Sequence, residues 1–251
     1  MLYNTIIVLD FETGGRDPSL AEITQVGAVA IRPRDLKLYD THFNMMVRPL
    51  EPDKLDPESL KLTKTNKDDL MKAPHPQEVW HKFADWCSQF NLGGKNDLFA
   101  APVMAGHNIV NFDMTLYERY SYKYNTLKPD KFLKKKVPGI FNNLKHYDTI
   151  QLLGYWTENL KDPRSLSLDN LRVYFGMPQA SKDGAHDALQ DVKDTAAILQ
   201  KLLMLSRHFG RKVRFKNCFD LEAMERDREA EKLGAEAPEE EAKPKRRKKS
   251  A

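Results

Sequence analysis

Three apolar runs follow one another within the first 47 residues, joined by short connections. Thr5–Phe11 is rich in β-branched residues, as a buried strand is. Ile23–Ile31 carries Gly27, Ala28 and Ala30, small residues that suit a strand packed on both faces. Leu38–Val47 interleaves polar residues among apolar ones. Three strands in such close succession predict an antiparallel meander. The first run ends in Glu12-Thr13-Gly14-Gly15, a turn signal.

The pattern then becomes helical. Val79, Phe83, Trp86 and Phe90 recur at helical spacing in Glu78–Phe90. Leu98–Ala105 reads as a further strand, leading into Gly106-His107-Asn108. Asp113–Tyr124 reads as a helix with Leu116, Tyr117, Tyr120 and Tyr124 on one side. Asp148–Tyr155 and Leu168–Phe175 are shorter helix candidates. Ala188–Ser206 has the strongest helical period, through Leu189, Val192, Ala196, Leu199 and Leu203. The order β-β-β-α-β-α-α-α predicts an α/β domain with helices covering a sheet.

The 251 residues fit one medium domain and a tail. The expected division is 1–210 for the domain and 211–251 for a charged tail. Glu222–Glu241 is short of large apolar residues, and Lys243-Pro244-Lys245-Arg246-Arg247-Lys248-Lys249 follows. That composition predicts a frayed helix and then disorder. The net charge of +4 is compatible with a nucleic-acid partner without requiring one. Cys87 and Cys218 match no metal spacing and suggest a reducing compartment. No apolar run approaches the roughly 20 residues that span a bilayer, and the N-terminus lacks signal-peptide character. The expectation is a soluble cytoplasmic protein with no membrane partner. The basic tail leaves nuclear placement open for a eukaryotic chain.

Asp10 and Glu12 lie two apart on a predicted strand, so both point to one face while Leu9 and Phe11 point to the other. A solvated strand end would also explain them. Asp113 opens a helix, where an acid also gains about 0.3–1 kcal/mol from the helix dipole. His186 and Asp191 are five apart, about 140° around one helix. They converge more readily if His186 sits in the loop at Gly184 and Asp191 on the first helical turn. A loop histidine and a dipole-compensating aspartate are the alternative. Four such carboxylates brought within about 4 Å would repel by roughly 4 kcal/mol per pair at an effective dielectric near 20. Cations would be needed to offset that, and hard oxygen donors suit Mg²⁺ or Mn²⁺.

The chain resembles the DEDDh exonucleases, the DnaQ-like family that includes polymerase proofreading subunits and RNase T. Asp10-Phe11-Glu12-Thr13-Gly14-Gly15 is similar to the first family motif. Gly106-His107-Asn108-Ile109-Val110-Asn111-Phe112-Asp113 is similar to the second. His186-Asp187-Ala188-Leu189-Gln190-Asp191 is similar to the third. Gln25–Val29, Asp148-Thr149 and Ser167–Leu171 are weaker echoes, and the likeness spans about residues 3–208.

The resemblance implies an RNase H-like fold: a central mixed sheet, its first three strands antiparallel, flanked by helices. It implies a two-metal-ion 3′–5′ exonuclease releasing 5′-mononucleotides from single-stranded 3′ ends, with DNA favoured. Asp10, Glu12 and Asp191 would hold the catalytic Mg²⁺ or Mn²⁺, and Asp10 would share a second ion that Asp113 reaches through water. His186 would be the general base. Backbone near Thr13 and Gly14 would meet the 3′ sugar. His107 or Phe112 would pack near the terminal base, with ordinary core packing as the alternative. An exoribonuclease, or a proofreading subunit with a polymerase or other replication or repair partner, are the rival readings. A non-catalytic binding module is disfavoured by the presence of all five catalytic side chains. Oligomeric state is left open.

Leu127–His146 combines Lys128, Lys131, Lys134, Lys135, Lys136 and Lys145 with Phe132 and Phe141. Basic side chains with aromatic platforms suit a strand-tracking groove. A solvated surface loop has the same composition. The basic end of the tail could bind nucleic acid, direct nuclear import or aid solubility. Deleting the residues from Glu236 onward should leave hydrolysis of short oligonucleotides unchanged while weakening long-strand binding at low salt. Kinetics and filter binding check both. A folded, inactive truncation would overturn the division into domain and tail.

Overall fold

The computed structural model describes residues 4–63, 65–93, 97–178 and 188–212, with 225, 226 and 229. The chain falls into two compact units, Met1–Leu203 and Met204–Ala251. Of the second unit the described residues are helical. The frayed helix and disorder expected of the tail lie outside the described residues, except at Glu225, Arg226 and Glu229.

The first unit opens with β1 (Ile6–Thr13), β2 (Ile23–Ile31) and β3 (Leu38–Met46). A single 3₁₀ turn (Pro52–Lys54), α1 (Pro57–Leu62), α2 (Lys67–Lys72) and α3 (Pro76–Ser88) follow. Then come β4 (Val103–Gly106), α4 (Asp113–Lys123), β5 (Leu127–Asp130), β6 (Lys135–Pro138) and β7 (His146–Asp148). The last elements are α5 (Thr149–Thr157), α6 (Leu168–Tyr174) and α7 (Ala188–Lys212). The main sheet runs β3-β2-β1-β4-β7. Its first three strands are antiparallel, and β4 and β7 join in parallel.

The meander and the mixed sheet expected from the sequence are present. Two segments differ. The run Leu98–Ala105 gives only the short β4. Pro102 has no N–H to donate to a ladder, and the carbonyls of Phe99 and Ala101 accept from the Asn4 side chain instead. The lysine-rich segment contains a two-stranded antiparallel hairpin, β5–β6, and leads into β7 at the sheet edge.

Period-two geometry divides β1 between two cores. Ile7, Leu9 and Phe11 face an aromatic layer with Trp80, Phe83 and Trp86 of α3 and Leu116, Tyr117 and Tyr120 of α4. Ile6 and Val8 face Val192, Ala196 and Leu199 of α7. Asp10 and Glu12 continue that second row and are the two positions of β1 that are not fully buried. The strand's own alternation thus aims both carboxylates to the face that α7 covers.

Gly27 of β2 lets α7 approach. It pairs with Asp10 across the ladder, and a Cβ built on it would lie 2.7 Å from the carbonyl carbon of Ala188, the first residue of α7. Backbone therefore meets backbone, with no side chain between to give way. Gly27→Ala should push the start of α7 off the sheet and destabilise the protein by about 1–3 kcal/mol, as overpacking does. Chemical denaturation measures this, and an unchanged midpoint would show that the contact is not tight.

Candidate active site

Strands β4 and β7 end together at Gly106 and Asp148, β1 runs on past them to Thr13, and the candidate site forms along that overhang. Asp10 and Glu12 come from β1. Asp191 lies in the first turn of α7, a turn beyond the Ala188 contact with Gly27. Carboxylate oxygens of Asp10, Glu12 and Asp191 lie within 4.8 Å of one another. Strand and helix, 180 residues apart in the chain, thus deliver three acids to one spot.

Burial and the neighbouring Asp191 charge push the Asp10 carboxyl up to about 7, against a smaller opposing pull from Arg172. Asp113, at the start of α4, is 3% exposed. Its Oδ1 accepts from the Phe11 amide at 3.1 Å, which fastens α4 to β1 between the two strand carboxylates. Burial, and then the Asp10 charge, raise its carboxyl well above the usual range. Asp113 does not belong to the group of three that could share one ion.

Two supporting residues had no role assigned to them from the sequence. Arg172 of α6 is 3% exposed. Its Nη2 donates to Asp191 at 2.6 Å, its Nε to Asp194 at 2.8 Å and its Nη1 to Asp169 at 2.7 Å. One guanidinium thereby fixes the first two turns of α7 through one acid in each. The available signal was an arginine beside Leu171 on a short helix, with Asp191 and Asp194 three apart on another. Asp148 closes β7. Its carboxylate accepts from the amides of Asn108, Val110 and Ile150, holding the loop that leads to Asp113.

The other expected site residues sit as follows. Thr13 Oγ1 donates to the Gly15 carbonyl at 2.7 Å. The Gly14 amide donates to the Glu22 carbonyl, and a Cβ there would run into Leu55. His107 is half-buried, with Nδ1 2.8 Å from Thr149 Oγ1, and burial lowers its pKa. Phe112 caps the start of α4 and packs, partly buried, against the aromatic core. His186 lies outside the described residues.

The donor set suits a hard divalent cation. Three carboxylates converge, and oxygen-only donors are what Mg²⁺, Mn²⁺ and Ca²⁺ take. Arg172 offsets charge on the Asp191 side of the cluster, yet the Asp10 carboxyl still stays well above its usual range. The arrangement can therefore accept added positive charge.

The chain matches the sequence model of the RNase T-type exonucleases over residues 7–199. It belongs to this exonuclease family, whose members are phosphodiester hydrolases. The DNA polymerase III PolC-type proteins of Thermotoga petrophila and Thermotoga maritima are 25% and 26% identical to it over 209 residues. Those alignments cover 82% of this chain and 12% of each polymerase. Its fold is similar to that of Escherichia coli exonuclease I in complex with a dT13 oligonucleotide. The TM-score is 0.63 at 18% identity, over 88% of this chain and 46% of that one. Exonuclease I of Methylocaldum szegediense gives a TM-score of 0.60 at 20% identity, over 84% and 46%. The mixed five-stranded sheet with flanking helices is thus the DnaQ-like, RNase H-like arrangement. Among the described residues, no helix is long and apolar enough to cross a membrane.

The raised Asp10 carboxyl has a consequence for metal-free protein. A carboxyl lifted from 3.8 to about 7 on folding stabilises the fold fully below pH 4, and that contribution is lost as pH rises through 7. In chelator, Asp10→Asn should therefore melt at a higher temperature than the parent by a margin that widens from pH 4 to pH 7. Scanning calorimetry across that range measures it. A constant margin would show that Asp10 is not strained by its neighbours.

Proposed function

We propose that this chain hydrolyses single-stranded nucleic acid from the 3′ end to 5′-mononucleotides, with DNA as the favoured substrate. The observation that carries the reading is the meeting of Asp10, Glu12 and Asp191 within 4.8 Å, in a chain of an exonuclease family. DNA is favoured because the similar proteins include DNA polymerases and an exonuclease seen with a thymidine oligonucleotide.

Asp10, Glu12 and Asp191 would hold one divalent cation, Mg²⁺ or Mn²⁺, with Asp10 shared toward a second that Asp113 reaches through water. Two such ions, when bound, would stabilise charge on the attacking and leaving oxygens of the phosphodiester. His186 would take the proton from the attacking water. Thr13 and Gly14 would border the terminal sugar, and His107 and Phe112 the terminal base. Asp148 and Arg172 would act at one remove, by fixing the loop before Asp113 and the turn that carries Asp191.

Matched DNA and RNA oligonucleotides, labelled at either end and digested with Mg²⁺ or Mn²⁺, test this. A 3′ label should leave at once as a mononucleotide, and a 5′ label should give a shrinking ladder. Release from the 5′ end first would overturn the polarity, and faster loss of RNA would favour the exoribonuclease reading. Asp191→Ala should abolish turnover. His186→Ala should lower kcat by about 10²–10⁴ while retaining Mn²⁺ binding, as expected for loss of a base rather than a ligand. Calorimetric titration with Mn²⁺ separates the two roles. Loss of Mn²⁺ binding in His186→Ala as complete as in Asp10→Ala would make the histidine a ligand.

A further inference from the structure

A cavity of about 840 Å³ lies between α4 and the β5–β6 hairpin. Val110 and, from α4, Met114 and Tyr117 line one side, and Phe132 and Leu133 of the hairpin turn, with Leu144 of the segment between β6 and β7, line the other. Val110 and Met114 flank Asp113 in the chain, so the cavity adjoins the segment that enters the carboxylate cluster. Its size is that of pockets which enclose flat, drug-sized groups.

The hairpin side is unusually exposed for apolar residues. Phe132 is 79% exposed, Leu144 68% and Leu133 59%. Phe132 touches Phe99 edge-on, with ring centroids 5.9 Å apart, which leaves ring surface open to solvent. The loop that presents it is built to shape. The Asp130 carboxylate accepts from the amides of Phe132 and Leu133 and from the Asn143 side chain, and Lys134 takes a left-handed φ of 52°.

Lys131, Lys134, Lys135, Lys136 and Lys145 are all exposed; Lys145 lines the cavity, Lys131 adjoins Phe132 in the chain, and Lys135 shares a strand face with Val137 of the lining. Glu118 is a countercharge on the α4 side, while Asp130 is engaged by the loop. Lysines around an open aromatic ring match the chemistry of one nucleic-acid strand, whose phosphates meet the cations while an unstacked base covers the ring. A duplex keeps its bases stacked inside and has no face to offer Phe132.

We propose that this cavity and its lysine rim form an upstream subsite for the single strand, with a base seated on Phe132 and the backbone drawn along Lys131, Lys135 and Lys145. The subsite rests on the nuclease reading for its purpose. Its binding can be measured without turnover. It retains the strand whose 3′ end lies at the carboxylates, so longer substrates bind more tightly than dinucleotides.

The test uses the full chain and a 5′-fluorescent twelve-nucleotide oligothymidylate in chelator, followed by anisotropy. Phe132→Ala should weaken binding about ten-fold, the usual effect of losing one stacking platform. The triple variant Lys131→Glu, Lys135→Glu, Lys145→Glu should weaken it further and flatten the salt dependence. Both variants should keep the parent's melting temperature and its rate on a thymidine dinucleotide with Mn²⁺. Unchanged oligonucleotide affinity in both would overturn the subsite. So would equal affinity of the parent for a twelve-residue polyglutamate, because charge alone would then be read. A parent that binds the oligonucleotide through these residues yet hydrolyses nothing would sink the nuclease reading and leave the subsite standing.

Discussion

Carboxylates whose oxygens lie within 4.8 Å repel by about 4 kcal/mol per pair at an effective dielectric near 20, and the backbone has to hold them there against that force. Two of them leave one strand on the same face, a placement the strand cannot relax without reversing every side chain in β1. The third arrives on a helix whose first residue rests on Gly27, directly across the ladder from Asp10. A fourth acid, Asp113, lies outside that group of three and is held to β1 by the Phe11 amide. Sheet register, the close contact of α7 and one backbone hydrogen bond thus do together what the side chains oppose.

The two faces of the sheet divide the work. On the α3 and α4 side, large rings pack at mostly tilted angles, with Trp80, Phe83, Phe141 and Tyr117 joined in a closed circuit of contacts. Their hydroxyls tie loops to the core: Tyr120 accepts from the Ile23 amide, and Tyr117 from those of Ile140 and Phe141. That rigid side supports Asp113 and the edge of the hairpin. On the α7 side the packing residues are small or aliphatic, Val192, Ala196 and Leu199. A helix can settle close to the strands there and bring Asp191 within reach of Asp10.

Much of this was written plainly in the sequence. The apolar runs marked β1 to β3, and Ile23–Ile31 is the observed span of β2. Apolar periodicity marked α3, α4 and α7, because each buries one stripe against the sheet. The three acid-bearing motifs pointed to the cluster through their likeness to a family rather than through their spacing. What stayed hidden has physical causes. Helices α1 and α2 are six residues each, too short for a period, and rely on Asp56 and Asn66 as caps. The β5–β6 hairpin has four-residue strands crowded with lysine, and its turn uses Lys134 where glycine would have announced it. Arg172 is meaningful only through partners 19 and 22 positions away. No local pattern reports such a network.

That network also restricts how the chain can change over time. Arg172 is buried with nowhere to turn its charge, and Asp194 is almost as enclosed, with 11% of its side chain exposed. Losing either alone strands a charge in a poorly solvated place, which is far costlier than losing both for a well-packed apolar pair. Asp191 cannot join such an exchange if it must serve chemistry. Asp169, with 74% of its side chain exposed, can drift freely. Among relatives, then, positions 172 and 194 should vary as a couple, position 191 should stand still, and position 169 should wander, so that one arginine and its three acids carry three different evolutionary clocks.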